Sequence, residues 1–165
     1  MKKFFILVFI SFFSILTSQA QIIEAGVSIE EVPKALFGSW SIRAKLDTTN
    51  STSTFKPQSA DYWTLKRDGD IITLDNPYTG AKAEVSLKSV EGNLITFSRK
   101  TSYDNNKVLT DTVTIRIDEN DFSGINYLKL ESFSLVDNHL MKTENATYLI
   151  KGEKVAGDSI LKTNN

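Results

Sequence analysis

The sequence predicts an all-β domain of about eight strands, run up and down as one antiparallel barrel, with a short N-terminal helical turn. Three observations carry this. Apolar and polar residues alternate through most of the chain, the period of two expected of strands with one buried face. The alternating stretches are joined by short Gly-, Asn- and Asp-rich turns, and no long helical stretch interrupts them. A meander of this length has edges to protect, and closing on itself removes them.

The first strand sets the frame. Leu36–Leu46 reads LFGSWSIRAKL, with Trp40, Ile42, Ala44 and Leu46 on one side and Ser41, Arg43 and Lys45 on the other. Just upstream, Ser28 and Glu31 match a capping box, and Pro33–Phe37 reads as a second short turn. One or two helical turns are thus expected over a barrel end, immediately before Gly38. Asp47–Ser59 has no apolar periodicity and reads as a long, mobile loop. Its one large apolar residue, Phe55, is placed to fold back over an opening.

The remaining strands follow in order. Asp61–Arg67 carries Trp63 and Leu65, and Asp70–Asp75 carries Ile72 and Leu74. A two-residue turn at Asp68-Gly69 would set Leu65 against Ile72 and Trp63 against Leu74, all on one face. Asn76–Gly80 is a turn cluster, and Ala81–Val90 alternates Ala83, Val85 and Leu87 against charged residues. After Glu91–Asn93, Leu94–Ser102 presents Ile95 and Phe97. After Asp104–Asn106, Val108–Asp118 presents Val113, Ile115 and Ile117. Glu119-Asn120 reads as a two-residue turn, setting Ile117 against Phe122 and Ile115 against Gly124. Phe122–Phe133, the loop Ser134–Glu144 and a last strand at Asn145–Val155, with Tyr148 and Ile150, complete the set.

Residues 1–20 stand outside this pattern. Lys2 and Lys3, the apolar run Phe4–Leu16 and Ser18-Gln19-Ala20 read as a secretory signal with cleavage after Ala20. The run is shorter than the ~20 residues of a membrane span. The expected organisation is a signal peptide at 1–20, a barrel at 21–157 and a flexible tail at 158–165. The location is secreted or periplasmic, with no membrane span. The chain has no cysteine, so the domain must rely on its core, and thiol and zinc-thiolate chemistry are excluded. The formal charge is −1, and −3 without Lys2 and Lys3, which gives no reason to expect nucleic acid as a partner.

A Gly-x-Trp opening the first strand of a secreted antiparallel domain, after an amphipathic lead-in, resembles the lipocalin and calycin group. Phe37-Gly38-Ser39-Trp40 is also similar to the opening of its fatty-acid-binding branch. The resemblance implies a calycin-like barrel in which Trp40 plugs one end and packs near a basic residue of a late strand, Lys151 or Arg116. It covers the motif at Gly38 and Trp40 and the overall layout. Avidin-like barrels share both.

Few residues suggest chemistry. His139 is the only histidine and lies in a polar loop, where a solvated side chain is the ordinary reading. Asp118–Asp121 matches no calcium loop and is explained by turn chemistry. Trp63 falls on the inner face with Phe97 and Tyr148, where aromatics either fill a core or line a pocket. The turn centred on Asn105 would set Arg99 against Asp111 on that same face, and the next hairpin sets Asn126 against Val113. Arg99, Asp111 and Asn126 should therefore meet inside the barrel or at its rim. There an Arg fork could orient a ligand carboxylate.

The expected function is non-catalytic binding of a small apolar ligand, with or without a carboxylate, and with no cofactor. The ligand residues would be Trp63, Phe97, Arg99, Asp111, Asn126 and Tyr148. The alternative is a filled structural barrel that meets a protein or glycan partner through its loops.

Overall fold

The computed structural model describes residues 27–103 and 106–157. The expected signal segment, the turn tip at 104–105 and the expected tail lie outside the described residues.

Eight antiparallel strands form one closed barrel, each paired with its sequence neighbours and the last with the first. They are β1 Gly38–Thr49, β2 Gln58–Asp68, β3 Ile71–Asp75, β4 Lys82–Glu91, β5 Leu94–Tyr103, β6 Lys107–Ile117, β7 Asp121–Phe133 and β8 Leu140–Ala156. Inward residues at alternate positions make one continuous core that includes Trp40, Trp63, Phe97, Ile115 and Phe122. A chain of aromatic contacts, which we call the aromatic stack although only Trp63 and Phe122 lie near parallel, runs through it: Trp40 lies 5.0 Å from Phe122, Phe122 6.1 Å from Trp63, and Trp63 6.4 Å from Phe97.

The hairpins at 69–70, 92–93 and 118–120 gather at one end, which the N-terminal segment closes. Two single 3-10 turns, Ile29–Glu31 and Lys34–Leu36, lie there, the first capped by Ser28. Buried Ile29, Val32 and Leu36 join the core. Trp40 is fully buried, and its Nε1 donates to Leu36 O at 2.9 Å. The basic residue beside Trp40 is neither Lys151 nor Arg116, both of which are exposed. It is Lys154, whose Nζ sits 4.9 Å from the ring centre and donates to Ala35 O at 2.7 Å. Gly38 has a φ of 126°, and a Cβ there would meet Ala156 O at 2.3 Å, so the first residue of the Gly-x-Trp must be glycine for the strand ends to meet. Gly152 faces Phe122, whose ring takes the space a Cβ would fill.

Around Asn105 the register is as expected, with Arg99 opposite Asp111 and Phe97 opposite Val113. Ile117 pairs with Phe122 and Val113 with Asn126, also as expected. The β2–β3 register differs: Leu65 faces Leu74, and Arg67 faces Ile72. The turn is Gly69-Asp70, with Gly69 at a φ of 58°, because a type II′ turn places glycine first. The shift is two residues, so every side chain keeps its face. In β4 a bulge at Lys88 brings Val90 opposite Ile95 after Leu87 opposite Phe97, which explains the odd gap between the two apolar residues.

The segment Asp47–Ser59 is not a long free loop. Strand pairing runs to Thr49 and resumes at Gln58, leaving 50–57. That stretch is tied to β8: Asn50 exchanges backbone and side-chain hydrogen bonds with Asn145, and Tyr148 Oη donates to Lys56 O at 2.9 Å. Phe55 is buried, folded back into the open end of the barrel. β8 starts at Leu140 rather than Asn145, so the β7–β8 loop is only 134–139.

Candidate functional site

Apolar residues fill the barrel from the closed end up to Phe97 and Val113. At or just above that level, five strands place a polar residue inward, while Leu128 and Ala146 keep apolar positions beyond it. β5 supplies Arg99, β6 Asp111, β7 Asn126, β8 Tyr148 and β2 Asp61. Arg99 Nε donates to Asp111 Oδ2 at 2.8 Å. The Asp111 side chain is only 3% exposed, and that of Arg99 20%. This is a pair inside the barrel, not a solvated bridge at its rim.

Asp111 is incompletely served. Its Oδ1 and the neighbouring Asn126 Oδ1 are both buried without a hydrogen-bond partner among the described residues. Burial pushes the Asp111 carboxyl above its ordinary range; Arg99 and Asn126 oppose this, and the charge of Asp61 adds to it. Asp61 itself accepts from Trp63 Nε1 at 2.8 Å and from Asn76 Nδ2 at 2.5 Å.

The roof over this layer is the 50–57 segment. Phe55 supplies its apolar part and Tyr148 a hydrogen bond to its backbone. Glu144 supplies the latch. Its Oε1 accepts from Thr54 Oγ1 at 2.7 Å and from Ser51 Oγ, and lies 2.9 Å from Lys142 Nζ. The Ser51 hydroxyl, the Lys142 ammonium and the Thr54 hydroxyl hold the Glu144 carboxyl down at about 2.

All six expected residues face inward, but their roles separate. Arg99, Asp111 and Asn126 form the polar layer, with Tyr148 opposite Asn126 on the next strand. Trp63 and Phe97 are fully buried in the aromatic stack, and Trp63 reaches the layer only through Asp61. Asp61 and Glu144 were missed, although strand parity marks both. Asp61 is two residues before Trp63, and Glu144 is four before Tyr148, so each shares its neighbour's face.

His139 is exposed, with Nδ1 2.6 Å from Asp137 on the β7–β8 loop. Among the described residues no group of three His, Cys, Asp or Glu side chains is arranged to hold a metal ion. None of their helices is long and apolar enough to cross a membrane. A groove of about 860 Å³ lies on the outer wall, across β2, β1, β8 and β7. No protein-family model, curated protein or solved structure matches the chain.

Proposed function

We propose that the chain is an exported, lipocalin-like, non-catalytic binding protein that holds a small ligand in the open half of its barrel. The reading rests on one observation. An inward layer of Arg99, Asp111 and Asn126 leaves two buried acceptor oxygens without donors among the described residues, beneath a roof that Phe55 closes. Unpaired buried acceptors are rare in finished cores and mark places where another group belongs. Arg99 has five donor hydrogens and uses one of them on Asp111. The ligand would present a group that accepts from Arg99 and donates to Asp111 or Asn126, with an apolar body against Phe55, Phe97 and Tyr148. The pairing of Trp40 with Lys154 is of the kind the lipocalin resemblance implied, and supports the same reading.

A second reading has its own observation. The aromatic stack fills the closed half with side chains, as a structural barrel requires, and the groove lies outside. In that case the barrel is a scaffold for an interaction module.

Native mass spectrometry of the protein purified from its own host separates the two. Under the first reading a small molecule accompanies the wild-type chain and is lost from an Asp111→Leu variant that keeps its β-sheet circular dichroism. Wild-type protein with the mass of the polypeptide alone overturns the first reading in favour of the second. N-terminal sequencing of the same material should begin at Gln21; a chain still starting at Met1 removes the exported part.

A further inference from the structure

The outer wall carries a second feature that the interior reading does not use. The groove of about 860 Å³ is formed by outward side chains of β1 and β2 on one side and β7 and β8 on the other. Its volume is that of a pocket for a drug-sized molecule. Three cations face it: Arg43, Lys45 and Lys151, all exposed. Arg43 and Lys151 are direct cross-strand partners. Like charges in that position repel, so the pairing opposes folding rather than serving it. None of the three is held in an ion pair among the described residues, and Glu153 is the one acidic side chain lining the groove.

The floor is apolar and low. Ala60 contributes little outward bulk, and Ala44 and Gly124, which face inward, border the groove with backbone. Leu149 is half exposed beside Lys45, and across the next strand pair it meets Ile125, also half exposed. An apolar strip therefore runs alongside a cluster of unneutralised cations.

We propose that this groove binds a free, monomeric amphipathic anion: a small molecule whose carboxylate sits between Arg43 and Lys151 and whose apolar body lies along Leu149. Charge complementarity selects the head group. A guanidinium fork beside an ammonium matches a carboxylate, and neither cation is ion-paired with Glu153, the one acid of the groove, among the described residues. The carboxylate would also remove the repulsion between the two cations, so binding and stability are coupled.

Decanoate, used below its micelle concentration, is the probe, with decan-1-ol and decylamine as controls of the same chain length. Titration of the labelled full chain, followed by amide chemical shifts, is expected to move residues 41–45 and 149–153 with decanoate. Decanol should bind at least tenfold more weakly and decylamine more weakly still. Arg43→Gln and Lys151→Gln should each weaken decanoate at least threefold, and the double variant at least tenfold. Raising the salt should weaken it further in the wild type but little in the double variant. Equal binding of decanoate and decanol overturns the proposal. So does decanoate binding unchanged by the double variant, or binding to anionic phospholipid vesicles without any to free decanoate. Shifts confined to residues 97–99, 111 and 126 would also overturn it, while leaving the interior reading intact. The two readings therefore fail separately.

Discussion

At the closed end of the barrel, the buried polar donors are matched one by one. Trp40 Nε1 finds Leu36 O, and Lys154 Nζ finds Ala35 O while its charge rests against the Trp40 ring. At the open end, Asp61, Asp111 and Glu144 share the interior with Arg99, and Asp111 Oδ1 and Asn126 Oδ1 have no donor among the described residues. The same eight strands make both ends, so the contrast comes from which residues occupy the inward positions. The closed end is complete by folding alone. The open end carries the local inconsistencies that a fold tolerates where it has another task.

The sharpest way to test the comparison is to remove the plug. Trp40→Ala is expected to cost ~3–5 kcal/mol, the usual range for deleting a large buried aromatic. Urea unfolding at constant m-value measures it. A loss below ~1 kcal/mol would mean that the closed end does not depend on Trp40, and the contrast would fail.

At the open end the largest effect should come from Arg99→Ala, which strands Asp111 without its cation. About 3 kcal/mol is expected at neutral pH, at the low end for breaking a buried pair. Its pH dependence carries the argument. Burial raises the Asp111 carboxyl, so its contribution to stability is fully present below the ordinary carboxylate range and is lost as pH rises through the raised value. Without Arg99 that rise is larger, so the variant should recover toward wild type as pH falls. Asp111→Asn, which stays neutral, should flatten the profile. An Arg99→Ala deficit that is constant from pH 7 to pH 4 would show that Asp111 does not need its partner.

A smaller loss is expected from Lys154→Met. It keeps the bulk of the side chain but removes both the charged donor to Ala35 O and the cation over Trp40. About 1–2 kcal/mol fits one charge-assisted hydrogen bond and one ring contact, each partly replaced by water. Tryptophan fluorescence of the folded state should shift with it. An unchanged spectrum and an unchanged melt would separate Lys154 from the plug.

The two ends also differ in how far they could be read from the sequence. The closed end was legible because apolar parity is unambiguous: Trp40, Ile115, Ile117 and Phe122 face inward in any register that buries them. That parity survived even where the register did not. The β2–β3 hairpin is displaced by two residues, yet Leu65 and Ile72 remain inside. The Arg99–Asp111 pairing was legible for the same reason, since Phe97 and Val113 below it fix both strands. The basic partner of Trp40 was missed although strand parity marks it: Lys154 shares the inward face of β8 with Tyr148 and Ile150 and lies directly opposite Trp40, but a lysine on an inward face was not weighed. The tethering of 50–57 was illegible because its contacts are polar and distant in sequence: Ser51 and Thr54 to Glu144, Asn50 to Asn145. A Ser/Thr-rich stretch reads as free when its partner lies some ninety residues away.

That latch supplies the smallest and most specific test of the open end. The Ser51 hydroxyl, the Lys142 ammonium and the Thr54 hydroxyl lower the Glu144 carboxyl from its ordinary 4.5 to about 2. A lowered carboxyl stabilises the fold at pH values above the ordinary 4.5, and that contribution is lost as pH falls through about 2. Glu144→Gln keeps the shape and one acceptor but removes the charge. At pH 7 it should melt below wild type by less than Lys154→Met does. The gap should narrow as pH falls below 4.5 and be gone near 2. The amides of Thr54 and Phe55, whose hydrogen bonds run to Ser51 O, should exchange with solvent faster in the variant at pH 7. Amides of the closed end, such as that of Phe37, should not change. A gap that persists below pH 2, or exchange that quickens equally at both ends, would mean that Glu144 acts on the whole barrel rather than on its roof. The open end would then be as tightly coupled to the core as the closed one.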